Sequence, residues 1–124
     1  MPVTVLITGG GSGIGRGLCH CFAEKGYRVV CGDLDFNAAE VTSRSSSHAE
    51  NIHPVILDVT SEDNVREVVE GVAGPIGILV NNAGIQHVAP LESFPQDAWD
   101  RVVDVLLRGT CLMTRSVLGS MREE

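Results

Sequence analysis

Residues 3–15, VTVLITGGGSGIG, decide the fold of this chain. Val3, Val5, Leu6 and Ile7 form a short apolar run rich in β-branched side chains, as in a strand buried on both faces of a parallel sheet. Thr8 ends the run, and glycines occupy positions 9, 10, 11, 13 and 15. Behind them Ile14, Leu18 and Phe22 recur at helical spacing, and Gly26 is placed to terminate that helix. Strand, glycine loop and helix N-terminus together make an anion site. Bare N–H groups and the positive end of the helix dipole converge there, and a phosphate can approach closely because glycine has no Cβ. The competing reading is an ordinary glycine-rich turn without a ligand.

Two well-known phosphate loops do not fit. Gly-x-x-x-x-Gly-Lys-Ser/Thr can use Gly10 and Gly15, but Arg16 and Gly17 follow, leaving no Lys and no hydroxyl. Gly-x-Gly-x-x-Gly from Gly9 and Gly11 requires a glycine where Ile14 stands. What fits is Thr-Gly-x-x-x-Gly-x-Gly across Thr8, Gly9, Gly13 and Gly15. This spacing resembles the nucleotide loop of the short-chain dehydrogenase/reductase family, which often has a serine where Ser12 lies. The resemblance implies an α/β, Rossmann-like doubly wound parallel sheet. It also implies that Gly9, Gly11, Ser12, Gly13, Ile14 and Gly15 cradle a dinucleotide.

Composition narrows the class. The 124 residues suffice for one domain with a core but not comfortably for two. No apolar stretch approaches the ~20 residues needed to cross a bilayer. The N-terminus leads directly into the first strand, so a cytoplasmic protein without a signal peptide is expected. A net charge of −7 with scattered Lys and Arg provides no basic face for nucleic acid. Cys19, Cys21, Cys31 and Cys111, like the four histidines, lack a metal-binding arrangement and read as reduced thiols.

The second strand reads as Tyr27 to Cys31 and leads to Gly32 and Asp33. An acidic residue ~20 positions beyond the glycine loop of a dinucleotide fold binds the adenosine ribose. Asp33 lies 18 residues after Gly15. Its carboxylate repels a 2′-phosphate and so favours NAD over NADP, with Leu34 beside it at the cofactor. The alternative is a helix cap, since Asp33 or Asp35 could start a helix over Asn37 to Arg44. His53 to Leu57 reads as strand three. In the resembled family the pair matching Asp58 and Val59 lies along the adenine, with the acid near its exocyclic amine. Thr60 with Asp63 signals a helix start, and Val65, Val68, Val69 and Val72 form its apolar stripe. Gly71 and Gly74-Pro75 stop this helix earlier than is usual in the family.

Strand four, Ile78 to Val80, runs into Asn81-Asn82-Ala83-Gly84, the second strong point of resemblance. Asn81 is expected to hydrogen-bond across neighbouring strands. By position, Asn82, Ala83 and Gly84 line the ribose beside the nicotinamide. Residues 84–90, GIQHVAP, further resemble bacterial-type 3-hydroxybutyrate dehydrogenases, in which the glutamine matching Gln86 helps hold the substrate carboxylate. A loop glutamine facing water is the alternative.

Ser93-x-x-Gln96 reads as a capping box for a final helix running from Asp97 to about Met121. Its apolar residues cover more than one face, as on a helix buried on several sides or shared with another subunit. The resembled family dimerises through this helix. The family's catalytic residues are an Asn, a Ser and Tyr-x-x-x-Lys. The asparagine position falls on Leu106, and no Tyr-x-x-x-Lys occurs; the single tyrosine is Tyr27.

The expectation is therefore a four-strand NAD(P)-binding portion, strand order 3-2-1-4, lacking the catalytic part and inactive alone. A non-catalytic NAD-sensing or partner-binding module, or a fragment without useful affinity, are the other possibilities. Association is expected with a second copy, or with a complete family member, through the final helix. Leu106, Met113 and Val117 are expected to be uncovered within the chain, unless that helix folds back over strand four.

Overall fold

A computed structural model describes residues 3–122. The apolar run becomes strand β1 (Thr4–Thr8), buried along its whole length. It is followed by α1 (Gly13–Glu24), β2 (Arg28–Asp33), α2 (Phe36–Arg44), β3 (Ile52–Ile56), α3 (Glu62–Gly71) and β4 (Ile76–Val80). The strands form one parallel sheet of order β3-β2-β1-β4. This is the expected doubly wound architecture, with strand limits shifted by one or two residues.

Side-chain alternation along the strands divides the core in two. Val5, Ile7, Val29 and Cys31 face Cys19, Ala23 and Ala39 from α1 and α2. Leu6 and Val30 face the other way, toward Val65 of α3 and Met113 and Val117 from the last helix. A parallel sheet covered on both faces needs this two-sided apolar content.

Of the two acids that could start α2, Asp35 caps it, accepting from the Ala38 N–H at 3.2 Å. The cap of α3 differs from the sequence expectation. Ser61, rather than Thr60, caps α3, accepting from the Asn64 N–H at 3.2 Å. Thr60 instead turns back and donates its hydroxyl to Asp58 Oδ1.

The final helix is interrupted. α4 (Gln96–Val103) passes through a π-helical turn over Asp104–Arg108 into α5 (Gly109–Arg122). Ser93 makes no capping box: it belongs to a 3-10 turn over Leu91–Ser93, and Pro95 occupies the N-cap position. The expectation that Met113 and Val117 lack cover is corrected. Both are buried, because α5 lies back against β4 and α3. Ser120 reinforces this placement by accepting from the Ile76 N–H at 3.0 Å. Leu106 does remain half-exposed.

Candidate functional site

The C-terminal ends of β1, β2 and β4 converge on a cleft of ≈ 470 Å³. Gly9, Ser12, Gly13 and Ile14 line one side, and Asp33 and Leu34 the next. Asp58 and Val59 close the far end, and Asn82, Ala83 and Gly84 the near end. Gly11 and Gly15 are buried behind this lining, and Gln86 is exposed outside it. The structure thus gathers most of the candidate residues, drawn from four separate stretches of sequence, around one cavity at the switch point of the sheet.

The loop geometry follows from its glycines. Gly9 has φ 68°, and a Cβ there would stand 2.9 Å from Ala83 Cα. At Gly15 an added Cβ would lie 2.1 Å from the Gly9 carbonyl oxygen. The loop therefore nests between α1 and residues 82–84 only without side chains at these two positions.

Thr8 fastens the same junction. Its hydroxyl accepts from the Asn82 N–H at 3.0 Å and from the Ala83 N–H at 2.9 Å, while Asn82 Nδ2 donates to the Gly9 carbonyl at 3.0 Å. The bridging expected of Asn81 is thus made by Asn82 and Thr8. Asn81 instead donates to Thr114 on α5.

A second network holds the loop from behind. Thr42 on α2 donates to the Gly10 carbonyl at 2.7 Å, and Arg16 donates to Thr42 and to the Gly11 carbonyl. Asp33 completes it. One carboxylate oxygen accepts from the Gly11 N–H and the other from the Asp35 N–H, each at 2.9 Å. An ionised carboxylate has about four acceptor sites, so roughly two remain for a ligand's hydroxyls.

Beneath Gly10 lie two buried thiols, Cys19 and Cys31. Hydrogen bonding with Cys31, and then burial, push the Cys19 thiol up. The same contact, with Cys19 as donor, holds Cys31 below the usual thiol range. Cys19 therefore stays protonated and packs as a small apolar side chain.

The cleft suits a dinucleotide. Ser12 stands at the N-cap of α1 without donating or accepting a side-chain capping bond, leaving first-turn N–H groups for an anion. Gly13 opens onto empty space. Ile14 and Leu34 are exposed apolar side chains at the rim, 77% and 67% accessible, placed to flank a flat ring. Asp58 Oδ1 accepts from both the Thr60 N–H and hydroxyl, which leaves Oδ2 without a hydrogen-bond donor among the described residues.

Arg101 was not legible as a site residue. It lines the cleft with Val105, one turn further along the last helix. It is the one Lys or Arg among the cleft-lining residues, which also include Asp33 and Asp58. A reading of residues 97–121 as one regular helix misplaces its faces, because the π turn inserts an extra residue per turn. Leu106, within that turn, packs over Gly84, where an added Cβ would stand 3.1 Å from its Cδ2. Its side chain supplies no polar group there.

Fold and site together define a Rossmann-like doubly wound unit built around a glycine loop. Residues 3–124 match the family model for short chain dehydrogenase, and the chain belongs to that family. Over 120 residues it is 38% identical to a 3-oxoacyl-(acyl-carrier-protein) reductase of Thermotoga maritima, covering 94% of this chain and 49% of that protein. It is 33% identical over 125 residues to the D-beta-hydroxybutyrate dehydrogenase of Cupriavidus necator, covering 98% and 48%. The crystal structure of a 3-ketoacyl-(acyl-carrier-protein) reductase from Brucella melitensis complexed with NADH superposes with a TM-score of 0.91 at 36% identity, covering 98% of this chain and 50% of that one. The chain therefore spans about half the length of these relatives.

Proposed function

We propose that this chain is the cofactor-binding portion of a short-chain dehydrogenase-type oxidoreductase and binds NAD in preference to NADP. The observation that carries the proposal is the open glycine loop at the start of α1, facing an anchored Asp33. The NADH held by the Brucella relative supports the same cofactor class. Bound NAD supplies a hydride acceptor. The residues of this chain hold it: the first turn of α1 takes the pyrophosphate, Asp33 the adenosine ribose hydroxyls, and Asp58 and Val59 the adenine. Asn82, Ala83 and Gly84 line the second ribose, and Arg101 offsets the negative charge that enters.

Calorimetric titration tests the preference. Wild type is expected to bind NAD more tightly than NADP. Asp33→Ala is expected to narrow that ratio by roughly tenfold or more, as repulsion of the 2′-phosphate is relieved. Both affinities fall in this variant, because the Gly11 and Asp35 N–H groups lose their acceptor. A wild-type preference for NADP would overturn the assignment.

Turnover is a separate matter. These 124 residues have Leu106 at the asparagine position and contain no Tyr-x-x-x-Lys, the group that moves the substrate proton in the family. NAD binding without NADH production from 3-hydroxybutyrate is expected, which is also the behaviour of an NAD-sensing or partner-binding module. Steady NADH formation by the purified chain, lost in Gly13→Asp, would contradict it. In a complete active site the exposed Gln86 meets a substrate carboxylate. The free cysteines suit a reducing, cytoplasmic setting.

The outer face of the last helix supports self-association. Trp99, Val103, Leu107 and Leu118 are exposed on this helix, and Leu107 is 71% accessible. β4 pairs with β1 on one side, and no second partner strand occurs among the described residues. A two-fold dimer through paired last helices covers the apolar face. Sedimentation at micromolar concentration should show a dimer that Leu107→Lys dissociates. A monomer in both proteins would exclude it, and binding only to a complete family member would replace it.

A further inference from the structure

A second concavity, larger than the dinucleotide cleft, lies elsewhere on the molecule. A groove of ≈ 870 Å³ lies between α3 and the outer strands β2 and β3, and it shares no lining residue with the cleft. Its floor is apolar, from Val30 and Val55, and Val68 of α3 with Val72 just after it form one wall. It exists because α3 ends at Gly71, so the next residues leave the sheet face partly uncovered.

The two ends of the groove differ. Arg28 and His53 sit at the N-terminal end of the strands. The Arg28 guanidinium uses one N–H on the Ala73 carbonyl, leaving other donors of its five for a ligand. Phe36 and Ile56, both exposed and apolar, mark the opposite end. Between them Glu67 lines the wall and disfavours an anion midway along. His53 and Ile56 are three residues apart on β3, about 10 Å along the strand. A volume within the ~300–1,000 Å³ range of small-molecule sites, an apolar floor and one basic end specify an amphiphile.

From this polarity we infer that the groove is a second ligand site, which takes a medium-chain carboxylate with its head at Arg28 and His53 and its tail over Val30 and Val55. The carboxylate gains a charge-assisted hydrogen bond to the guanidinium, and the tail covers apolar surface now facing water. The site is independent of dinucleotide binding in the cleft.

Gly71 provides a selective way to block it. An added Cβ there meets no atom within 4 Å, so Gly71→Leu places a side chain in the groove without pressing on the core. The test is an amide chemical-shift titration of the full chain with octanoate and with octanol. Saturable octanoate shifts are expected at Val30, Val55, Val68 and Val72, with octanol roughly fivefold or more weaker. Gly71→Leu should lose the shifts while keeping the wild-type circular dichroism spectrum. Arg28→Gln should make octanoate and octanol bind alike, and it is decisive even if Gly71→Leu folds poorly. The inference is overturned by the absence of saturable shifts at millimolar octanoate, by undiminished binding in a folded Gly71→Leu, or by an unchanged octanoate preference in Arg28→Gln. Shifts confined to Trp99 and Leu107 would equally overturn it, since they mark simple adhesion to the exposed helix.

Discussion

Gly13→Asp is expected to remove dinucleotide binding while leaving the fold in place. Gly13 opens α1 at φ 53°, and a side chain there meets no neighbouring atom. The left-handed backbone costs an L-residue about 1–2 kcal/mol, and Asp tolerates it better than most. A carboxylate at a helix N-terminus recovers about 0.3–1 kcal/mol of that. The same carboxylate stands where the pyrophosphate must lie. Two unit charges 4 Å apart repel by about 4 kcal/mol at an effective dielectric constant near 20, so an affinity loss of about 100-fold or more is expected. Gly13→Ala carries the backbone cost without the charge and serves as the control. Calorimetry together with thermal melting checks the pair. Equal NAD affinity in the two variants would show that no phosphate sits at the start of α1.

Val117→Glu is expected to prevent folding, and Met113→Ala to cost about 2–5 kcal/mol, a large share of the ~5–15 kcal/mol that holds a domain together. Both side chains are fully buried against Leu6, Val30 and Ile76, at 1% and 0% accessibility. An unpaired carboxylate among them has no compensating partner. Leu107→Lys, on the exposed side of the same helix, should alter stability by no more than about 0.5 kcal/mol. Urea unfolding followed by circular dichroism separates these effects. A folded Val117→Glu protein of wild-type stability would mean that α5 does not pack on β4 in solution.

The contrast between these positions shows what the amino-acid sequence conveys. Local signals near the glycine loop were readable because a buried parallel strand, a tight loop and a helix start each require particular residue types in order. The strand order followed from them through the family resemblance, as did the cleft residues around Asp33 and Asn82. The capping of α3 was harder, because Thr60 and Ser61 are adjacent hydroxyls and only the fold decides which one turns inward. The role expected of Asn81 shifted by one residue to Asn82 for a related reason: strand β4 ends at Val80, and its register sets which amide faces Gly9. The last helix was least legible. Its apolar residues are too numerous to mark one face, and the π turn over Asp104–Arg108 changes the register between Arg101 and Met113. Burial of Met113 and Val117, exposure of Leu107 and the presence of Arg101 in the cleft all follow from that turn and from the docking of α5.

The most direct test of the cofactor assignment is an amide chemical-shift titration of the intact 124-residue chain with NAD. Saturable changes are expected at Gly9 to Gly15, at Asp33 and Asp58, and at Asn82 to Gly84, with Val55 and Val68 in the separate groove unmoved. Millimolar NAD that leaves the glycine-loop amides where they were would contradict the account.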